Sequence, residues 1–293
     1  MCARWLFFFV VIAVHHSNSE RQGRIKKGET APIIPYHVSI DFDSDYKKLP
    51  MPCAETSESV CSYFGLFGCT DVPYAAVNNT KSLCSGVIIG ERDILTAAHC
   101  VDEFKNRTEY MSVSVSVTDL RNVSQYQRYC VDRVIVHDDY SPTIEDIAMV
   151  KLKRKIDLSD PKKVKKLPFS NRHALFSSKD RFRVAGWGML DESQTIDPNN
   201  LQQTTVEATD CPFEGVKNLN KLICAVSPDR SSTACAGDSG AGLVTLNEPQ
   251  ELIGILNRGE CLTIDTAIMR FARVSTYYDW INKHLNDAVN TRA

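Results

Sequence analysis

The sequence predicts an all-β protein made of two packed antiparallel β-barrels, followed by a C-terminal helix. Its 293 residues, 43% of them hydrophobic, are enough to bury substantial cores, and all-β chains of this length often form one unit. Short stretches of alternating polar and apolar residues recur along the chain, which is typical of half-buried strands. Near the end, Trp280, Ile281 and Leu285 follow helical spacing and predict a helix over residues 274–286.

The first predicted strand covers residues 35–40, and the sheet resumes at residues 85–89. Between them lies an insertion, residues 41–83, whose length without periodicity is typical of functional or disordered loops. It carries three cysteines, which favours an excursion stapled by disulfides. Two readings of the insertion stay open: a decorative surface loop, or a surface that binds a substrate or partner.

Further short strands are predicted at residues 112–117, 131–136 and 146–152. A basic passage at residues 151–166 follows and predicts the linker between the two barrels. The first barrel is expected at about 25–160 and the second at about 161–293. For the basic run, a solvated face is favoured over a polyanion-binding surface.

The N-terminus predicts export. Arg4 is followed by an apolar run and then by the small residues Ser17 and Ser19, so residues 1–19 are expected to be a signal peptide. No segment is long enough for a typical membrane helix, so a secreted, extracellular protein without a membrane partner is expected. The net charge of -2 indicates no nucleic-acid partner.

Export makes disulfide bonds the default fate of the cysteines, and removing Cys2 with the signal peptide leaves an even number of them. Metal binding is the rival interpretation, but no repeated CxxC spacing occurs. We therefore expect no metal and no cofactor. Glycosylation sequons occur at Asn78, Asn106 and Asn122, and because the protein is expected to be secreted, we expect some of them to be used.

Three separate motifs supply the parts of a nucleophilic site. Ser239 stands in Cys-Ala-Gly-Asp-Ser-Gly-Ala-Gly, His99 in Thr-Ala-Ala-His-Cys, and Asp146 in Asp-Ile-Ala-Met-Val-Lys-Leu. A serine hydroxyl is a poor nucleophile unless a base takes its proton and amide groups hold the resulting oxyanion. A histidine oriented by a carboxylate is the usual base.

Read together, these motifs resemble the histidine, aspartate and serine boxes of the chymotrypsin/trypsin family of serine endopeptidases. The resemblance covers roughly residues 25 to 285 and implies two Greek-key barrels, with protein or peptide substrates and possible protein inhibitors. It implies that Ser239 is the nucleophile, His99 the general base and Asp146 the group that orients His99. The amides of Gly237 and Ser239 would form the oxyanion hole.

The resemblance also implies three disulfide bonds: Cys84 with Cys100, Cys211 with Cys224, and Cys235 with Cys261. Four cysteines are then left over, and the sequence does not choose among their three possible connectivities. They are Cys53, Cys61, Cys69 and Cys130.

An activation junction is implied at Arg24-Ile25, with residues 20–24 as a short propeptide removed by an activating protease. In the family, the new Ile amino terminus pairs with the aspartate before the nucleophile, here Asp238. The family usually has Val-Gly after this isoleucine, where the chain has Lys26 and Lys27. This departure bears on how readily the new terminus inserts.

The implied primary substrate pocket is unlike that of trypsin. Thr233 stands at its base where trypsin-like members have an aspartate, and a neutral hydroxyl does not offset the desolvation of lysine or arginine. Met269 replaces a glycine and would shorten the pocket, which favours small or medium apolar residues. In the alternative, Arg258 or Arg270 reaches the pocket and recruits an acidic side chain.

Further departures favour a rival function. The substrate-binding strand reads Asn257-Arg258-Gly259 where the family has Ser-Trp-Gly, and Ala241 replaces a glycine beside the nucleophile. The rival is a catalytically weak or inactive homologue that binds partners through its insertion. All three members of the predicted triad are nevertheless present, which favours the enzyme.

Overall fold

The computed structural model describes residues 28–43, 80–141, 145–173, 176–177, 180–189, 199–212, 219–230, 232–259 and 268–285. The predicted signal peptide, the activation junction and most of the insertion lie outside these residues. So do Asn78, Cys53, Cys61, Cys69 and Cys261.

The described residues form thirteen strands and two short α-helices, α1 and α2. The strands are β1 (Glu29–Thr30), β2 (His37–Asp43), β3 (Thr80–Ile88), β4 (Asp93–Thr96), β5 (Met111–Val115), β6 (Gln127–Val136), β7 (Ala148–Leu152), β8 (Arg181–Gly186), β9 (Gln202–Thr209), β10 (Leu222–Val226), β11 (Gly242–Thr245), β12 (Leu252–Arg258) and β13 (Met269–Arg273). The α-helices are α1 (Ala98–Val101) and α2 (Tyr278–Leu285).

Two closed antiparallel barrels account for all of these strands except β1, which confirms the predicted all-β fold. The first barrel has the strand order β2-β3-β4-β7-β6-β5. The second follows the order β9-β10-β13-β12-β11-β8 and closes through pairing of β8 with β9. Strands β4, β5 and β7 are buried along their whole length, so the first barrel has a continuous apolar core.

Each terminal segment of the described chain packs against the barrel that is more distant from it in sequence. Strand β1 pairs with β9, so residues 29–30 belong to the second sheet rather than to the expected first barrel of about 25–160. At the other end, a 3₁₀ turn at Val274–Tyr277 leads into α2. Ile281 is fully buried in the same apolar cluster as the first-barrel strands. Both ends therefore help to hold the two barrels together.

The insertion is shorter than the expected 41–83. Strand β2 continues to Asp43, β3 begins at Thr80, and these two residues face each other in register. Phe42 is buried, and the Asp41 carboxylate accepts hydrogen bonds from Ser39 Oγ at 2.6 Å and Ser114 Oγ at 2.5 Å. The β2–β3 pair thus extends to Asp43 and Thr80, beyond the strands at residues 35–40 and 85–89 that hydrophobic alternation predicts.

The start of the basic passage is not the expected solvated face. Lys151 is 2% exposed, faces Asp93 across the β4–β7 pair and forms an ion pair with it. Its ammonium also donates to the His284 carbonyl of α2 at 2.5 Å. A buried lysine requires such partners because an unpaired charge is costly away from water. Lys151 therefore fastens the C-terminal helix to the first barrel.

Candidate active site

The predicted base and its orienting carboxylate meet at one end of the β4–β7 pair. Thr96 at the end of β4 faces Ala148 at the start of β7, so the residues just beyond them are brought together. Asp146 Oδ1 accepts a hydrogen bond from the His99 amide at 2.9 Å, and Oδ2 lies 2.8 Å from His99 Nδ1. The carboxylate thus contacts both the backbone and the ring of His99.

The two side chains differ in exposure. The Asp146 side chain is 7% exposed, whereas the His99 side chain is 37% exposed. A buried carboxylate that accepts from Nδ1 favours the tautomer in which Nε2 carries the free lone pair. Ala97 and Ala98 are fully buried, which is why only small side chains fit before His99.

Ser239 belongs to the second barrel but is docked on the first. Its carbonyl accepts a hydrogen bond from the Ser85 amide at 2.8 Å, and Thr96 Oγ1 donates to the Ser85 carbonyl at 2.8 Å. Ser85 follows Cys84, whose disulfide partner Cys100 is the residue after His99. The turn that carries Ser239 is therefore anchored on the segments that carry His99.

Within the described residues, no hydrogen bond joins the side chains of Ser239 and His99. His99 Nε2 lies 3.8 Å from Cys100 Sγ. Such bonds are often long in a free enzyme and tighten only when substrate binds. Neither the Gly237 amide nor the Ser239 amide has an acceptor in the described part of the chain, so both donors are available to a ligand.

Two glycines shape this turn. Gly237 has φ +97° and Gly240 has φ +84°, both in the left-handed region that side chains disfavour. A Cβ at Gly240 would lie 2.1 Å from the Ser85 carbonyl oxygen. Gly240 is thus required for the docking of the Ser239 turn on the first barrel.

Asp238 is fully buried between the Ser239 turn and the segment after β8. Its Oδ1 accepts from the Gly188 amide at 2.7 Å and its Oδ2 from the Cys235 amide at 2.8 Å. Burial raises the pKa of Asp238 to about 6, although both amide hydrogen bonds act in the opposite direction. No cation pairs with this carboxylate among the described residues.

The glycines of the Ala-Gly-Trp-Gly stretch make room for this carboxylate. A Cβ at Gly186 would lie 2.1 Å from Asp238 Oδ1, and one at Gly188 would lie 2.2 Å from Oδ2. Trp187, between these two glycines, is buried in the apolar core. In the sequence, the only sign of the role of Gly186 and Gly188 is that a glycine stands on each side of Trp187.

The segments expected to wall the substrate pocket touch each other in this form. A Cβ at Gly259 would lie 2.2 Å from the carbonyl oxygen of Ala234, the residue after Thr233. Thr233 is fully buried, and its hydroxyl has no partner in the described part of the chain. Met269 is also fully buried and packs in the same apolar cluster as Ala234. Between Gly259 and Ala234, therefore, there is no room for a substrate side chain.

The predicted pocket residues Asn257 and Arg258 differ in their surroundings from Thr233 and Met269, whereas Ala241 beside the nucleophile is buried like them. Asn257 Oδ1 accepts from the Ala272 amide at 3.3 Å, so this side chain turns toward β13. Arg258 is exposed at the end of β12, where it pairs in register with Arg270. Ala241 is fully buried in the core of the second barrel. Arg258 is therefore an exposed cation at the position where the family usually has a tryptophan.

Each barrel contains one of the two disulfides that join described residues. Cys84–Cys100 and Cys211–Cys224 are both present, as the resemblance implied. Cys130 and Cys235 are also disulfide-bonded, to partners outside the described residues. Cys84, His99 and Cys100 lie close enough to bind a metal ion, but both sulfurs belong to a disulfide and supply no thiolate.

Comparisons with known proteins agree with this architecture. The trypsin family model matches residues 70–281. A trypsin of Tyrophagus putrescentiae is 31% identical over 233 residues, which cover 75% of this chain and 79% of that protein. The clotting factor G beta subunit of Tachypleus tridentatus is 29% identical, over 71% of this chain and 72% of its own length.

Human transmembrane protease serine 5 is 28% identical over 71% of this chain, but the match spans only 48% of that protein. In the described part of this chain, no helix is both long and apolar enough to cross a membrane. The double barrel, the His99–Asp146 pair and the docked Ser239 turn agree with the family match. The chain belongs to the trypsin family of serine-type endopeptidases.

Proposed function

We propose that this protein is a secreted serine endopeptidase, made as an inactive precursor, in which His99, Asp146 and Ser239 form the catalytic triad. The observation that carries the proposal is the double contact of Asp146 with the His99 amide and ring, beside the docked Ser239 turn. Residues 1–19 would direct export, and residues 20–24 would be removed on activation. An activating protease and possible protein inhibitors are the expected partners beside the substrate.

The chemistry follows from these roles. Ser239 Oγ attacks the peptide carbonyl while His99 Nε2 takes its proton, and Asp146 stabilises the imidazolium. The oxyanion accepts hydrogen bonds from the Gly237 and Ser239 amides, each typically worth about 2.7 to 4 kcal/mol in the transition state. His99 then gives the proton to the leaving amine. Water enters by the same route and hydrolyses the acyl-enzyme.

Two features support an inactive precursor. Asp238 is buried without a cation among the described residues, and the Gly259 segment rests against Ala234. Cleavage after Arg24 would supply the Ile25 ammonium as a partner for Asp238. That pairing would reorganise the turn next to Cys235 and open the pocket.

Secretion also gives the sequons a use. Asn106 is exposed in a turn, and Asn122 lies in a turn where its side-chain oxygen accepts from Ser124 Oγ at 2.9 Å. Both sites are proposed to carry glycans, together with Asn78. Mass spectrometry of the secreted protein before and after removal of N-linked glycans tests each site.

The rival function is a weak or inactive homologue that acts as a binding protein. It is favoured by the closed pocket and by exposed Arg258 in place of a tryptophan. Labelling of the Arg24-cleaved protein with a serine-directed fluorophosphonate separates the two functions. The enzyme predicts labelling of the cleaved wild type and none of Ser239→Ala, whereas absence of labelling after verified cleavage favours the binding protein.

The specificity of the activated enzyme is expected to be apolar. Thr233 at the base carries no charge, and buried Met269 occupies space that a long substrate side chain would need. An apolar pocket discriminates by about 1 to 3 kcal/mol per methylene, so the preference should be graded toward small or medium apolar residues.

A peptide library varied at the residue before the scissile bond measures this preference, and Met269→Gly should widen it toward larger side chains. Dominant cleavage after Lys or Arg would overturn the argument from Thr233. Dominant cleavage after Asp or Glu would transfer the selectivity to Arg258 or Arg270.

A further inference from the structure

Glu145, the residue before Asp146, is buried and has an unusual backbone. Its side chain is 6% exposed, and its φ is +53°, a left-handed value that glutamate rarely adopts. Its carbonyl accepts from the Ile147 amide at 2.9 Å, so the chain turns tightly at Asp146. A strained residue beside a functional group persists only if its surroundings hold it there.

The group that holds Glu145 comes from the other barrel. Glu145 Oε1 accepts a hydrogen bond from Lys221 Nζ, in the 3₁₀ turn Leu219–Lys221 before β10. The Lys221 side chain is 33% exposed, whereas the Glu145 side chain is 6% exposed. Water therefore reaches the ion pair mainly from the Lys221 side. This ion pair joins the segment that carries Asp146 to the barrel that carries Ser239.

Lys221 is itself fixed in place. The Arg273 guanidinium donates to the carbonyls on either side of it, to Asn220 at 3.0 Å and to Leu222 at 3.1 Å. The same guanidinium lies 5.6 Å from the ring centroid of Phe176. The ammonium therefore projects from a turn that is already held on β13, and it forms a preorganised partner for Glu145.

Among the described residues, the other titratable groups around Glu145 are Tyr277, His137 and Asp146. Burial would raise the pKa of Glu145, but Lys221, Tyr277 and His137 together hold it below its usual range. Burial and the Glu145 and Asp146 charges raise the pKa of Tyr277, so Tyr277 stays neutral. Glu145 Oε2 has no partner at hydrogen-bonding distance in the described part of the chain. Glu145 is therefore ionised, and Lys221 supplies its hydrogen-bonded cation.

We propose that Glu145 and Lys221 are positioning residues for the reaction: their cross-barrel ion pair fixes Asp146 against His99 and cancels a second negative charge beside it. This inference rests on the proposed triad. The pair has both a geometric effect, on where Asp146 lies, and an electrostatic effect, on the field at the imidazole.

The electrostatic effect gives opposite results for the two partners. Lys221→Met leaves a carboxylate beside Asp146 without its cation, which stabilises the imidazolium and should move the acid limb of the kcat/KM profile upward by about half a pH unit. Glu145→Gln leaves the ammonium without its anion and should move the limb downward by a similar amount. The double variant Glu145→Gln/Lys221→Met should return the limb close to its wild-type position.

The geometric effect should lower kcat/KM by about tenfold to a hundredfold in each single variant, since small displacements of a catalytic group are costly. Lys155→Met is the matched control because Lys155 pairs with Glu91 on the surface, with side chains 67% and 53% exposed. It should leave activity and the pH profile unchanged. Circular dichroism checks that each variant is folded.

Opposite shifts in the two single variants, reversed in the double variant, support the inference. Activity that falls while the acid limb stays in place, or activity that does not change, overturns it. NMR titration of the His99 imidazole in the full chain reads the same shifts without turnover. A cleaved wild type that neither reacts with fluorophosphonate nor hydrolyses peptides would reject the proposed function. The NMR titration would still decide the role of the ion pair.

Discussion

Ser239→Ala and His99→Ala are each expected to abolish peptide hydrolysis by the Arg24-cleaved protein. Members of a triad act as a unit, and the loss of one typically costs on the order of a millionfold in kcat. Asp146 contacts both the amide and the ring of His99, which orients the proposed base. The measurement is kcat and KM on the best peptide from the specificity library.

Both variants should fold as the wild type does. Ser239 contributes its carbonyl to the bond from Ser85, and alanine retains that carbonyl. His99 is partly exposed, so its truncation leaves no large buried cavity. Exposed Ser159 and His173 offer matched controls, and Ser159→Ala and His173→Ala should retain full activity. A Ser239→Ala protein with about a tenth of wild-type kcat would contradict the assignment.

The sequence predicts the site where short motifs carry it. Thr96 to Cys100 and the Ser239 turn are local patterns, since their alanines and glycines are fixed by close packing and by positive φ. The double barrel follows from the same resemblance together with alternating strands. Contacts within a motif, or between two recognised motifs, can therefore be predicted from the sequence.

Contacts between segments that carry no recognised motif cannot be predicted from the sequence in this way. Glu145 and Lys221 are far apart in sequence, and neither belongs to a motif that predicts a partner. Lys151 stood in a run of basic residues, where a solvated face is the usual outcome, yet strand pairing with Asp93 buries it. The close approach of Gly259 to the Ala234 carbonyl depends on tertiary packing, which no local pattern determines.

The uncleaved precursor is expected to be nearly inactive, and Asp238→Asn is expected to stay inactive after cleavage. The pKa of Asp238, raised from 3.8 to about 6 by burial, corresponds to roughly 3 kcal/mol against its charged form. At neutral pH this carboxylate is thus ionised and poorly stabilised, and the Ile25 ammonium released by cleavage would relieve that cost. Asparagine has no charge to attract the ammonium.

The size of the effect follows from the burial of the pair. Removing one member of a buried ion pair typically costs about 3 to 5 kcal/mol, which corresponds to more than a hundredfold loss of the active form. Asp238 accepts from the Gly188 and Cys235 amides, so a lost charge pair would be transmitted to the turn that carries Ser239. Fluorophosphonate labelling and peptide turnover measure the active fraction directly.

Three proteins separate the steps: wild type, Arg24→Gln and Asp238→Asn, each treated with the same activating protease. Only the cleaved wild type should label and turn over peptide. Exposed Asp180→Asn is the matched control for the loss of a carboxylate, and it should activate normally. Full activity in the uncleaved Arg24→Gln precursor would show that the Ser239 turn and the pocket are organised without the new terminus. Asp238 would then be a structural acceptor for the Gly188 and Cys235 amides and not the partner of the Ile25 ammonium.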